Sequence, residues 1–266
     1  MDRFVAAAIQ MRSSVGDVRG NLEKALRLVS DAAANGASLV TLPECCNFGY
    51  GLDQILASTP ADIPDARGAF SSLAVARKVF IVVGLVEHVG GTIQNNTVIF
   101  GPQGQMGVYT KVHLFSSAPS FEDGVFSRGG KRLLVDTDVG KIGTIICYDI
   151  RFPELSRSLA LDGAEIFTVS SAWPSSRAAA LRGLCLGRAT ENIAYLISAN
   201  QVGTNSDTLK FAGQSSIVDF EGNVLASAGE GEECIISAEL DMVRLRKLRG
   251  AIPVFSHRRP DVYGFS

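Results

Sequence analysis

Apolar positions along the chain recur in two rhythms, one of strands and one of helices. Near the amino terminus, "MDRFVAAAIQM" is an apolar run of strand length. Residues 21–35, "NLEKALRLVSDAAAN", place Leu22, Leu26 and Val29 at helical spacing, and Gly36 supplies a C-terminal stop. "SLVTLPE" follows as a buried strand. The order then repeats: "PELSRSLALDGAEIFTVSSAW" reads as a helix opened by Pro153, closed near Gly163, and followed by a strand from about Ile166. Two helix, "GA", strand units predict a duplicated architecture.

Between and after these units lie hairpin signals. "TVIFGPQGQMGVYTK" turns at Pro102 to Gly104, and "LLVDTDVGKIGTIIC" turns near Asp138 to Lys141. "GQSSIVDFEGNVLASAG" turns at Glu221 to Asn223, and "ECIISAEL" adds one more strand. Alternation is incomplete in several of these runs, as expected for strands covered on both faces. The pattern predicts a mixed α/β sheet system with helices outside. No linker, charge run or low-complexity segment divides residues 1–266, so one domain is expected.

Composition narrows the function classes. Apolar residues make up 46% of the chain and charged residues 20%, ordinary values for a globular protein. A formal charge of −2 gives no electrostatic case for nucleic acid or an anionic membrane. The amino-terminal apolar run is too short for a signal peptide, and no stretch approaches the ~18 apolar residues of a membrane span, so a cytoplasmic protein is expected. Cys45, Cys46, Cys147, Cys185 and Cys234 are odd in number and scattered, without a CxxC pair. That pattern argues against a disulfide framework and a zinc cage. Neither metal nor cofactor is expected.

Four polar residues stand beside apolar strand-like runs: Glu44 after "SLVTLP", Lys111 after "MGVYT", Glu122 in "SFEDG" and Cys147 after "IGTII". Singly, each reads as a solvated strand end or a small core residue. The stretch "GTIICYDIRFPEL" is more pointed, because a strand that turns sharply into a helix presents one side chain, Cys147, at a sheet edge. Residues two apart on a strand share a face, so spacing alone leaves open a Cys/His pair using His113. No GxSxG elbow, HExxH helix or phosphate-binding glycine loop occurs.

Together the segments "TLPECCNFGY", "YTKVHLF" and "GTIICYDIRFPEL" resemble the three motifs of the nitrilase superfamily, the carbon–nitrogen hydrolases. The likeness continues through "GRATENIAYLISANQVG", "AGQSSIVDFEGNVLASAG" and "HRRPDVYG". It implies a four-layer αββα sandwich that pairs into a homodimer or larger homo-oligomer, with the helix bearing Arg182 and Arg188 near the interface. It also implies a Glu44, Lys111 and Cys147 triad that hydrolyses a small-molecule amide through a thioester. A thiol must lose its proton to attack, and Glu44 is the base for that transfer. Lys111 and the backbone N–H of Tyr148 would then face the oxyanion.

Glu122 resembles the supporting second glutamate of many members. Trp173, Ala172, Tyr50 and Phe48 are candidates for the pocket wall. Arg151 and Glu154 are expected to form a structural ion pair more than a substrate contact. The short chain and "CYDIRFPEL" look most like the amidase and Nit-like branches, which favours amides over nitriles. Where omega-amidase-like members carry histidine and tryptophan, this chain has Ala180 and Leu181, which argues against a dicarboxylate monoamide. N-carbamoyl hydrolysis, nitrile hydrolysis and a catalytically silent scaffold or binding protein are the competing functions.

Overall fold

A computed structural model describes residues 1–63, 65–118, 120–205 and 209–263. The first half runs β1 (Arg3–Gln10), α1 (Val18–Ala34), β2 (Ala37–Thr41), α2 (Leu52–Ala57), α3 (Arg67–Arg77), β3 (Phe80–Val89), β4 (Thr92–Gly101) and β5 (Gly104–Thr110). A small ribbon, β6 (Ser116–Ser117) with β7 (Ser120–Phe121), precedes β8 (Leu134–Thr137), β9 (Gly140–Ile146), α4 (Pro153–Leu161), β10 (Ile166–Ser171), α5 (Ala178–Glu191) and β11 (Tyr195–Asn200). A second ribbon, β12 (Val202–Thr204) with β13 (Lys210–Ala212), leads to β14 (Ser216–Val218), β15 (Val224–Ser227), β16 (Cys234–Asp241), α6 (Met242–Ala251) and α7 (Pro260–Tyr263).

The strands form two six-stranded sheets, ordered β16-β1-β2-β3-β4-β5 and β8-β9-β10-β11-β14-β15. The two orders correspond strand for strand. Each has three parallel strands in the middle, joined by helices, with one antiparallel strand on one side and two on the other. The duplication expected from the two "GA" units is therefore real at the level of the sheet.

Side-chain alternation assembles the layers. Phe4, Ala6 and Ala8 of β1, Phe80 and Val82 of β3, and Tyr195 and Ile197 of β11 meet in an apolar core between the sheets. The opposite faces, through Ala7, Ile9, Ile81 and Val83, pack on Val29 of α1 and Phe70 and Ala74 of α3. In the second half Phe167 and Val169 of β10 pack on Leu159 of α4 and Leu181 and Cys185 of α5. The order is helix, sheet, sheet, helix, as the resemblance implies. Every residue of β10 and β11 is buried, which accounts for their lack of polar alternation.

Local chemistry sets the element ends. Helix α1 begins at Val18, three residues before the expected start, because the Asp17 carboxylate accepts the Gly20 N–H at 3.0 Å and caps the first turn. Gly36 follows the helix at φ +89°, the left-handed value that ends it. Helix α4 opens at Pro153 and stops before Gly163. The three hairpins turn where expected, between β4 and β5, β8 and β9, and β14 and β15; in the last, Asp219 Oδ1 accepts the Glu221 and Asn223 N–H groups. Strands β2, β5, β9 and β10 point their C-terminal ends to one edge of the sandwich. There a Met11 to Gln201 parallel bridge ties the two sheets together.

Candidate active site

That shared edge collects the candidate residues. Glu44 lies three residues beyond β2, Lys111 one beyond β5, Cys147 one beyond β9 and Ala172 one beyond β10. Residues 67 and 103 positions from Glu44 thus arrive beside it because parallel strands end together.

Lys111 is fully buried, and its Nζ donates to Glu44 Oε1 and Glu122 Oε1, each at 2.7 Å. Burial pushes its ammonium toward the neutral form, but the carboxylates of Glu122 and Glu44 outweigh that and hold the proton well above the usual lysine range. Two of the three Nζ hydrogens serve carboxylates, which leaves one for a substrate oxygen. Among the described residues, further donors take one more lone pair on each Oε1 and one on each Oε2, which leaves each carboxylate a single open site on Oε2. Asn95 Nδ2 donates to Glu44 Oε1 at 2.7 Å, the Ala172 N–H to Glu44 Oε2 at 2.9 Å, the Tyr50 hydroxyl to Glu122 Oε1 at 2.8 Å and the Phe115 N–H to Glu122 Oε2 at 2.7 Å. Burial shifts the Glu122 carboxyl up, Lys111 opposes that shift, and Glu44 adds to it.

Cys147 sits at φ +45°, a left-handed conformation that a non-glycine residue adopts only under constraint. It opens a short 3-10 turn, Cys147–Arg151, and this sharp corner turns its side chain out of the sheet. The constraint comes from Asp149, fully buried, whose Oδ2 accepts the Ile146 N–H at 3.1 Å and the Tyr109 hydroxyl at 2.7 Å, while Oδ1 accepts the His113 N–H at 2.9 Å. At the far end of the turn, buried Arg188 donates from Nε to the Ile150 carbonyl at 2.9 Å. Burial, then the Glu44 carboxylate, raises the Cys147 thiol well above its ordinary range; Lys111 and the Ala172 N–H act the other way without cancelling it. Cys147 therefore rests as a thiol near neutral pH.

Cys147 lines a cavity of about 110 Å³ together with Tyr50, Glu122, Tyr148, Arg151, Ala172, Trp173 and Arg177. That volume is below the roughly 300–1,000 Å³ of drug-sized pockets and suits a short ligand. Trp173 is fixed by two hydrogen bonds, its N–H to Asn200 Oδ1 and its Nε1 to the Arg177 carbonyl, both 2.8 Å.

Several expectations change here. His113 does not pair with the cysteine: its Nδ1 is 2.8 Å from Asp149 Oδ1 and its ring stacks on Phe152 at 3.7 Å. Phe48 packs with Val18, Cys45 and Ile55 away from the cavity wall, whereas Tyr50 reaches it. Arg151 and Glu154 do not form the expected ion pair, because the 3-10 turn aims Arg151 over the Trp173 ring, 4.9 Å from its centre, while Glu154 lines a separate groove with Arg157. Arg188 of α5 points inward and donates to the Cys147–Arg151 turn, which leaves the expected interface at that helix untouched.

Sequence reasoning missed Asn95, Asp149 and Arg177. The two adjacent asparagines of "TIQNNTVIF" inside a strand-like run were the available signal for Asn95, since a buried amide needs a partner. Two glycines let the loops approach. A Cβ on Gly84 of β3 would lie 2.4 Å from the Pro43 oxygen and 2.6 Å from Glu44 Cα, and one on Gly129 would lie 2.0 Å from the Thr110 oxygen next to Lys111.

Comparison with known proteins bears on the same residues. A family model described as carbon-nitrogen hydrolase matches residues 5–250. A nitrilase from Pyrococcus abyssi is 34% identical over 97% of this chain and 98% of its own length. An omega-amidase from Bos taurus is 33% identical over 99% and 98%. The crystal structure of Saccharomyces cerevisiae Nit3, a member of branch 10 of the nitrilase superfamily, matches with a TM-score of 0.85 at 30% identity, with 97% of each chain covered. The family match spans both sheets and every residue of the buried cluster, and the chain belongs to the carbon-nitrogen hydrolase family.

Proposed function

We propose that the chain hydrolyses a small-molecule amide to a carboxylate and ammonia or an amine, through a thioester on Cys147. The observation that carries this reading is a lysine held at 2.7 Å by two buried carboxylates beside a thiol on the wall of a cavity. The similarity to an omega-amidase supports amides as the substrate class.

In this mechanism Glu44 takes the Sγ proton as sulfur attacks the amide carbon. The π electrons move to oxygen, and the oxyanion is met by the free Lys111 N–H and the Tyr148 N–H, which lies in the first turn of the 3-10 segment and has no intrahelical partner there. Lys111 keeps its proton and acts as a fixed charge. Collapse of the intermediate breaks the C–N bond, and the leaving nitrogen takes the proton from Glu44. Water then enters, gives its proton to Glu44 and attacks the thioester; Cys147 leaves and recovers the proton. Glu122, tied to Tyr50 and the Phe115 N–H, positions Lys111 between the carboxylates. The likeness to a nitrilase keeps a second substrate class in play, since the same thiol adds to a nitrile carbon.

Ammonia release from short aliphatic amides, omega-amides, N-carbamoyl amino acids and nitriles, by wild type and Cys147→Ala together, tests this reading. Turnover of amides that disappears in the variant is expected. Amide turnover retained by Cys147→Ala would overturn the role of the thiol, and turnover of nitriles or carbamoyl compounds alone would overturn the substrate class.

A further inference from the structure

The cavity carries two guanidinium groups, on Arg151 and Arg177, that the mechanism above does not use. They arrive from different elements, Arg151 from the end of the nucleophile turn and Arg177 from the 3-10 segment Ser175–Arg177 that precedes α5. Among the described residues neither pairs with a carboxylate. Glu122, which also lines the cavity, has its oxygens committed to Lys111, Tyr50 and Phe115. What holds each arginine is an aromatic face: Arg151 stands 4.9 Å from the centre of Trp173, and Arg177 stands 5.3 Å from the centre of Phe115. A guanidinium stacked on a ring keeps its in-plane N–H donors available while losing rotational freedom. The two mounts are linked, because Trp173 Nε1 donates to the carbonyl of Arg177 itself at 2.8 Å.

Two cations line a cavity of about 110 Å³, Arg151 partly buried and Arg177 exposed at its mouth, and with no spare carboxylate facing them among the described residues they favour an anionic tail over a neutral one. We propose that Arg177 is a specificity-determining residue, which joins Arg151 in selecting amides with two negative charges at the end remote from the amide. The head group is a pair of carboxylates or a single doubly charged phosphonate or phosphate; both offer several acceptor oxygens to two planar forks. This inference rests on the amidase reading of the same site and deepens it.

The test compares four probes: butanamide, succinamate with one carboxylate, the monoamide of tricarballylate with two, and 3-phosphonopropanamide. Ammonia release gives kcat/KM for wild type, Arg177→Gln and Arg177→Lys. Calorimetric binding of the same probes to Cys147→Ala follows recognition without turnover. Wild type is expected to favour the doubly charged probes over butanamide. In Arg177→Gln that charged-to-neutral ratio falls about tenfold or more, mainly through KM, and Arg177→Lys restores part of it.

A carboxylate pair preferred over the phosphonate identifies the first head group, and the reverse identifies the second. An unchanged ratio in Arg177→Gln, or butanamide as the best wild-type probe, overturns the proposal. If none of the probes releases ammonia but Cys147→Ala binds them with the same charge preference, the amidase reading fails while the subsite stands. Absence of charge preference in both assays removes the subsite alone.

Discussion

Lys111 is fully buried with a carboxylate on either side, so its charge and theirs are mutually dependent. Replacing it with methionine leaves Glu44 and Glu122 buried together without a cation. Loss of a buried partner of this kind costs about 3–5 kcal/mol. Lys111→Met is therefore expected to lower the unfolding midpoint sharply as well as abolish turnover, and adding Glu122→Gln to it should recover part of the stability. Thermal unfolding of the single and double variants checks this coupling. The Tyr50 hydroxyl is one hydrogen bond further out, so Tyr50→Phe should cut kcat by about tenfold or more, since a hydrogen bond to a charged group is worth about 1.5–3 kcal/mol. Cys147 behaves differently from an ion-paired thiolate. Ultraviolet thiolate absorbance, read as wild type minus Cys147→Ser, is expected to show no thiolate near neutral pH and a midpoint above the ~8.5 of a free thiol. A midpoint below that value would mean that the proton leaves before substrate binds.

At the scale of elements, the strand ends do the positioning and the glycines allow it. Gly84→Ala puts a methyl group into backbone at the Glu44 bend, where nothing flexible can yield. The expected result is about 1–3 kcal/mol of destabilisation, as for other overpacking, with a disproportionate fall in kcat because Glu44 is displaced. Unfolding and kinetics on the same variant separate the two effects. The helix boundaries at Gly36, Pro153 and Gly163 and the three hairpin turns were legible because each is written in local chemistry: a cap, a ring or a positive φ. Helix α5 and the apolar runs that become β3 and β11 carry no such punctuation, and β3 runs "FIVVGLVEHV" without alternation because both faces are covered. Glu44, Lys111 and Cys147 were visible through their motifs. Arg177 was not, since an aromatic ring across a cavity mouth leaves no trace in spacing, and Asn95 was signalled only by the paired asparagines of its strand.

Over the whole molecule, the duplicated sheets explain why a single edge collects the buried cluster: both halves end strands there, one delivering Glu44 and Lys111 and the other Cys147. Packing has a further consequence for pH. Cys45, Cys46, Cys147 and Cys185 are all buried and all held above the ordinary thiol range, Cys46 and Cys185 pushed up to about 12. The unfolded chain releases those protons from about pH 8.5, whereas the folded chain retains them. The unfolded state then binds fewer protons, so stability falls as pH rises through that range. Lys111, also raised, adds its own loss from about pH 10.4, where the unfolded lysine releases its proton and the folded one keeps it. A midpoint that declines above about pH 8.5, with a shallower slope in the Cys147→Ala and Cys185→Ala double variant, is expected from thermal unfolding across the alkaline range.

The central claim is that Cys147 carries the acyl group between two half-reactions. Intact-mass spectrometry of enzyme quenched in acid during amide turnover, followed by peptide mapping, tests it most directly. The account predicts a mass gain equal to the acyl fragment, located on the peptide "IICYDIR" and absent from Cys147→Ala. Steady turnover with an acyl adduct on another residue, or the same ammonia release from Cys147→Ala, would contradict it.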